Sequence, residues 1–492
     1  MKQTFYDIFS QLNAIPRPSH HEEKVADFLC SFAEKHGLRY RRDKENCVVI
    51  EKDATPGYEN ADTIVILNHM DMVAVAADGY KRDGRDFNPL TDPILPYIET
   101  QTNSDGTQTR WMKAHGTSLG ADNGMGLSMA LAILTDDSIV HGPLEVLTTT
   151  NEEDGMSGAE ALSNDFIHGR KVINLDSEAY DEITTGAAGA CLQVGSWKAE
   201  RAEIATTLIT KSISIEGGLG GHSGVDINKG RCNAIKELCK FISSSELRKF
   251  AILSDFSGGN ANASIASWAN VIIAFDASKE KDVEECVKDW EKQLKEAYKE
   301  TDSDIRVTLK NIDSNGTFIQ NGYNIIDCIA ALPCGVQAMR TDMPGTVMTS
   351  NNIGMLRTDT NTITVSCHTR SFDMAEQNAL AGKISDTMRQ YGAEDVAMLM
   401  NTGAWMERED SPLLALTCQT FRDVLGFEPK KVAMHFVLEA AYYVEKYPGV
   451  EIASIGPRII EPHSPSERVD LDTADDIWKV TVELLKRLAE QQ

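Results

Sequence analysis

Thr63-Ile64-Val65-Ile66-Leu67-Asn68-His69-Met70-Asp71 runs from an unbroken apolar segment straight into two metal-ligand residue types. The apolar part is short and rich in β-branched residues, the signature of a buried strand. His69 and Asp71 then fall at its C-terminal end. Three other segments repeat the arrangement: Leu144 to Thr149 is followed by Glu152 and Glu153, Lys171 to Leu175 by Asp176, and Val450 to Ile455, a loop later, by His463. In open α/β sheets the strand carboxyl ends are where ligands bind, so one crevice collects residues from distant parts of the chain. The expected fold class is α/β: a catalytic domain with a mainly parallel sheet between helices.

Between the third and fourth of these strands lies an insertion of different texture, placed at 187–399. It opens on a Gly-rich stretch and passes a charged segment, Lys279 to Glu300, in which Val283, Val287 and Trp290 recur with helical spacing. It closes on alternating, strand-like residues around Thr362 to Cys367. The expected organisation is therefore a discontinuous catalytic domain, 1–186 and 400–492, carrying an inserted α+β lid domain. Two domains also suit 492 residues, more than one core usually serves.

A net charge of −26 would repel a phosphate backbone, so nucleic acid and anionic membrane surfaces are not expected partners. Ten cysteines contain no C-x-x-C pair, and neither a thiolate zinc knuckle nor a disulfide framework is suggested. Met1 to Ile15 lacks a signal-peptide core and no later run reaches the apolar length of a membrane helix. The expected location is cytoplasmic.

Ser19 and Glu22 have capping-box spacing ahead of Val25, Phe28, Leu29 and Phe32, which marks a helix start; His20 and His21 read as solvent-facing. Gly116-Thr117-Ser118-Leu119-Gly120 fits the G-x-S-x-G nucleophile elbow, but the polar segment Arg110 to His115 before it is a poor central strand. Its glycines are better read as shaping the approach to Asp122. Gly217 to Gly224 fits neither nucleotide-binding glycine pattern, and His222 is its informative member.

His69, Asp122, Glu153, Asp176 and His463 form the donor set that two metal ions bridged by a carboxylate require. Asp122 sits at the mouth of a helix bearing Leu127, Ala130, Leu131 and Leu134, where one carboxylate reaches both ions. Adjacent Glu152 and Glu153 do not easily point the same way, which suggests that one ligates while the other handles protons. Asp71 is placed to fix the His69 tautomer.

These motifs resemble the zinc-dependent peptidase family that contains aminoacylase, carboxypeptidase G and several dipeptidases, over essentially the whole chain. Within it, they are most similar to the bacterial aminoacyl-histidine dipeptidases. The resemblance rests on Asn68 to Val73, Gly116 to Gly124, Thr150 to Glu153, Asn174 to Glu178, Gly220 to Gly224 and Pro462 to Pro465. It implies that His69 and Asp176 hold one Zn²⁺, Glu153 and His463 the other, and that Asp122 bridges them, with Co²⁺ or Mn²⁺ able to substitute. It also implies a cis peptide between Asp122 and Asn123. Glu152 matches the general base, acting on a zinc-bridged water, and Asp71 the carboxylate behind His69. In the lid, His222 matches the residue that closes over the tetrahedral intermediate, while Asn260 and Arg370 resemble substrate-holding residues.

The substrates implied are unblocked dipeptides, with Xaa-His among those admitted, and a homodimer is compatible with the resemblance. The same metal core would serve an N-acyl amino acid deacylase or carboxypeptidase, or a metal-binding member without catalysis. One departure bears on specificity. A family stretch expected as His-Ala-Gly-Leu-Glu-Cys-Gly reads His435-Phe436-Val437-Leu438-Glu439-Ala440-Ala441, with both glycines replaced. His435 and Glu439 are the substrate-side candidates there, and the lost glycines predict a crowded pocket or a strained backbone.

Overall fold

The computed structural model describes residues 4–205, 207–314 and 316–491, so the expected domain ends at 1 and 492 lie outside the described residues. The chain divides into two compact units. One comprises the chain up to Gly186 with Met406–Ala433 and Glu439 onward, and the other comprises Ala187–Trp405 and Met434–Leu438.

In the first unit the four strands expected from sequence form the parallel centre of a mixed sheet. Ile64–His69 lies between Leu144–Thr149 and Lys171–Asn174, and Glu451–Ser454 adds beside the last, all parallel. Val48–Lys52 and Arg39–Arg42 extend one edge antiparallel, and Glu182–Ala187 pairs antiparallel with Glu451–Ser454 on the other. Every residue of Ile64–His69 and Leu144–Thr149 is buried, as central strands covered on both faces must be.

The helix Ala121–Thr135 packs against Ile64–His69, and its residues are buried on all sides, which its near-continuous apolar sequence dictates. The C-terminal helix Leu471–Glu490 turns Ile477, Val480, Leu484 and Leu488 into the same core. One local reading is corrected. Glu22 is the N-cap of Glu23–Lys35 with no side-chain cap bond, so no capping box forms. Ser19 Oγ instead donates to Asp71 Oδ2 at 2.7 Å, because a buried carboxylate is a stronger acceptor than the local alternative.

The second unit is an antiparallel sheet in the order Arg306–Asn311, Leu208–Glu216, Ala269–Asp276, Ile252–Gly258, Val347–Thr358, Thr362–Ser371, Gly189–Lys198, Asp395–Thr402. Its charged helix, Glu280–Ala297, buries only Val283, Val287, Trp290 and Leu294, and Trp290 stacks on Phe241 with ring centroids 4.0 Å apart. Asp395–Thr402 closes an edge by pairing with Gly189–Lys198, which carries the unit beyond the expected end at 399. Ala188 N donates to Met434 O, which ties Met434–Leu438 to this unit.

Candidate active site

The strand ends of the first unit and the mouth of the helix Ala121–Thr135 bring His69, Asp71, Asp122, Glu153, Asp176 and His463 into one cluster. His69 Nε2 lies 3.0 Å from Asp122 Oδ1 and 3.3 Å from Asp176 Oδ1. His463 Nε2 lies 3.1 Å from Asp122 Oδ2 and 2.7 Å from Glu153 Oε2. Asp122 therefore offers one oxygen to each histidine, and its own peptide to Asn123 is cis. Asn123 Nδ2 holds the far side, donating to Leu175 O at 2.7 Å and to the Asp176 carboxylate.

Asp71 is fully buried and works in two directions. Its Oδ1 stands 3.3 Å from His69 Nδ1. Its two oxygens also accept the amide N–H groups of Glu152 at 3.0 Å and Glu153 at 3.1 Å. The first contact favours the proton on His69 Nδ1 and leaves Nε2 as a lone-pair donor toward the carboxylates. The second fixes the turn that separates the neighbouring glutamates, so that Glu153 and not Glu152 meets His463.

The charge balance of this cluster calls for cations. Burial pushes the Glu152 carboxyl well up, although His69 opposes it. Burial and the nearby Asp122 charge raise Glu153 to about 7. Burial resists ionisation of Asp122 too, but hydrogen bonds from His463 and His69 hold it below the usual carboxylate range. Hydrogen bonds to Asp122 and Glu153 raise His463 to about 11. Ligand atoms of His69, Asp122 and Glu153 lie within 4.8 Å of one another, as do those of Asp122, Glu178 and His463. Imidazoles and carboxylates converging at a largely buried place with His463 at its exposed side, and Glu153 Oε1 buried with no hydrogen-bond partner among the described residues, fit divalent metal ions.

Further residues surround the cluster, of which Arg17 and Glu467 lie outside the quoted motifs. Glu178, raised to about 8 by burial and the Asp122 charge, joins the His463 side. Arg17 and Glu467 are buried ions behind the cluster. Glu439 lies in this unit, its Oε2 accepting from Thr149 Oγ1 at 2.9 Å while burial pushes it to about 8. Ser118 is no nucleophile: its hydroxyl is buried and donates to Val73 O at 2.7 Å, which fixes the turn before Asp122.

The second unit gathers its own set. His222 Nδ1 accepts from Gly224 N and Val225 N, both at 3.3 Å, which leaves the ring proton on Nε2. Burial, aided by the Arg370 charge, lowers His222 to about 4, so the ring is neutral. Arg370 is almost wholly buried on Thr362–Ser371; its polar neighbours include Ser223 Oγ at 3.4 Å and His222 Nε2 at 3.5 Å, the latter a donor like Arg370 itself, and neither is an anion. His435 Nε2 bonds Ser350 Oγ at 2.8 Å, and His368, two residues before Arg370, is buried on the same strand. Asn260 is exposed, and its Oδ1 accepts from Trp268 Nε1 at 2.8 Å.

The strain expected where glycines are replaced does not arise, since neither Val437 nor Ala441 has a positive φ. Phe436 stands edge-on to His222 with ring centroids 5.8 Å apart.

Comparison with known proteins agrees in extent as well as pattern. The chain is 32% identical over 488 residues, 99% of its length, to the cytosol non-specific dipeptidase of Escherichia coli K12, and covers 98% of that protein. The crystal structure of aminoacylhistidine dipeptidase from Vibrio alginolyticus superposes with a TM-score of 0.84 at 32% identity, over 98% of this chain and 96% of that one. A Staphylococcus aureus tripeptidase shares the fold at 14% identity, with a TM-score of 0.58 over 100% of this chain and 99% of its own. The model of Peptidase family M20/M25/M40 matches residues 65–491, a span that includes all five clustered candidate ligands from His69 to His463. With the fold, the ligand cluster and these matches in agreement, the chain belongs to Peptidase family M20/M25/M40.

Proposed function

We propose that this protein is a cytoplasmic metallo-dipeptidase that hydrolyses unblocked dipeptides, Xaa-His among them, with two Zn²⁺ ions. The observation that carries the reading is Asp122, whose two oxygens face two different histidines, each of which also meets a further carboxylate. His69 and Asp176 would hold one ion, Glu153 and His463 the other, and Asp122 both. When bound, the pair supplies Lewis-acid activation of water and of the scissile carbonyl. The names of the two relatives above, both dipeptidases of near-full coverage, support the substrate class. Among the described residues no helix is long and apolar enough to cross a membrane.

The protein's own groups divide the remaining work. Glu152, raised by burial, suits a base that takes a proton from the attacking water and returns it to the leaving amine. Asp71 keeps His69 in one tautomer and holds the Glu152 amide in place. In the second unit, the neutral His222 presents Nε2–H as a donor suited to the developing oxyanion. Arg370, a buried cation with no anion beside it among the described residues, suits the terminal carboxylate of a dipeptide, to which its fork can donate bidentately. Asn260, His435 and Glu439 are assigned to substrate contacts.

The test is an assay of the Zn²⁺-loaded protein on free dipeptides and on their N-acetyl forms. Hydrolysis of the free dipeptides alone is expected. Preference for the N-acetyl forms would make the protein a deacylase or carboxypeptidase, and inactivity on both would remove catalysis.

A further inference from the structure

The ligands of the metal site come from separate loops, and two buried ions of opposite sign tie those loops together. Arg17 is 1% exposed. Its Nη1 donates to Met70 O at 3.0 Å and Asp71 O at 2.9 Å, and its Nη2 donates to Gly120 O at 2.6 Å. One guanidinium thus joins the backbone just after His69 to the backbone just before Asp122. Gly120 and Gly124 make room for it, since a Cβ on either would stand 2.6 or 2.5 Å from Nη2.

Glu467 is 2% exposed and holds the same turn from its amide side. Its Oε2 accepts from Leu119 N at 2.7 Å and Gly120 N at 2.9 Å, and its Oε1 from Ala121 N at 2.7 Å and Asp122 N at 3.4 Å. Glu467 lies four residues after His463, so this carboxylate couples the His463 loop to the Asp122 turn. A single peptide turn therefore gives its amides to an anion and its carbonyl to a cation.

Burying two ions is costly, and neutral packing would hold a fold as well or better. Charge-assisted, multidentate bonds give what neutral packing does not, which is a fixed geometry. We propose that Arg17 and Glu467 are positioning residues that set Asp122 against His69 and His463 and so determine how tightly the site holds its metal ions. The proposal rests on the two-metal reading above and adds to it the groups that make the site rigid.

The test uses the full-length protein, stripped of metal and titrated with Zn²⁺ by calorimetry, with the absorption spectrum of the Co²⁺-loaded protein as a second readout. Arg17→Lys keeps the charge but loses the fork, and Glu467→Gln keeps the shape but turns an amide N–H₂ toward backbone donors. Each variant is expected to bind at least one ion roughly 10- to 100-fold more weakly than the wild type and to show an altered Co²⁺ spectrum. Either variant, once folded by circular dichroism, decides the matter. A wild type that binds two ions beside variants with unchanged affinity and spectrum would overturn the proposal, even if their thermal stability fell. A wild type that binds fewer than two would overturn the two-metal reading and this proposal with it.

Discussion

The amide of Glu152 donates to Asp71 Oδ1 at 3.0 Å, the oxygen that also stands 3.3 Å from His69 Nδ1. One buried carboxylate thereby faces the imidazole proposed as a metal ligand and holds the backbone of the residue proposed as the base. Asp71→Asn keeps the shape but exposes an amide to donors that need an acceptor. The variant is expected to lose roughly 10- to 100-fold in both metal affinity and turnover. Calorimetric Zn²⁺ titration and steady-state kinetics of one preparation check this, and a loss in turnover alone would show that His69 does not depend on Asp71.

Glu152 and Glu153 are neighbours with different surroundings, so their amide variants should fail differently. Both backbone amides donate to Asp71, but the Glu153 carboxylate reaches His463 at 2.7 Å, whereas burial pushes the Glu152 carboxyl well up. Glu152→Gln is expected to retain both ions and lose turnover by about 100-fold or more. Glu153→Gln is expected to lose one ion. Elemental analysis of the two purified variants separates these outcomes, and the reverse pattern would exchange the assignments.

Arg370 and His222 lie within 3.5 Å of each other, yet they are given different tasks. Arg370→Ala is expected to raise KM strongly for free dipeptides and little for dipeptide amides, which lack the carboxylate. His222→Ala is expected to lower kcat by roughly 100-fold or more with a smaller change in KM, as loss of an oxyanion donor does. Equal losses of Arg370→Ala on dipeptides and amides would remove Arg370 from the carboxylate.

The parts of this site that are legible in the sequence are those written by local pattern. Apolar β-branched runs mark the four parallel strands, and the candidate ligands other than Asp122 follow at or a loop beyond their ends because that is where a parallel sheet opens. Ser19 shows the limit of such reasoning. Its spacing to Glu22 is a valid helix-start signal, but the acceptor that wins, Asp71, lies 52 positions away. Ser118 is similar, since G-x-S-x-G is local whereas the burial of its hydroxyl against Val73 is tertiary. Arg17 and Glu467 carry no sequence signal of burial, because charged residues are buried only where distant backbone receives them. The crossing of Met434–Leu438 into the second unit separates His435 from Glu439, and no composition shift marks it.

The claim on which everything else depends is that a pair of metal ions, shared through Asp122, carries the dipeptidase activity. Its most direct test is a titration of the metal-free protein with Zn²⁺ in which dipeptide hydrolysis is followed at each addition. The account predicts that activity climbs to a plateau at two equivalents per chain and that excess EDTA abolishes it. Full activity at one equivalent, or activity that survives complete removal of metal, would contradict it.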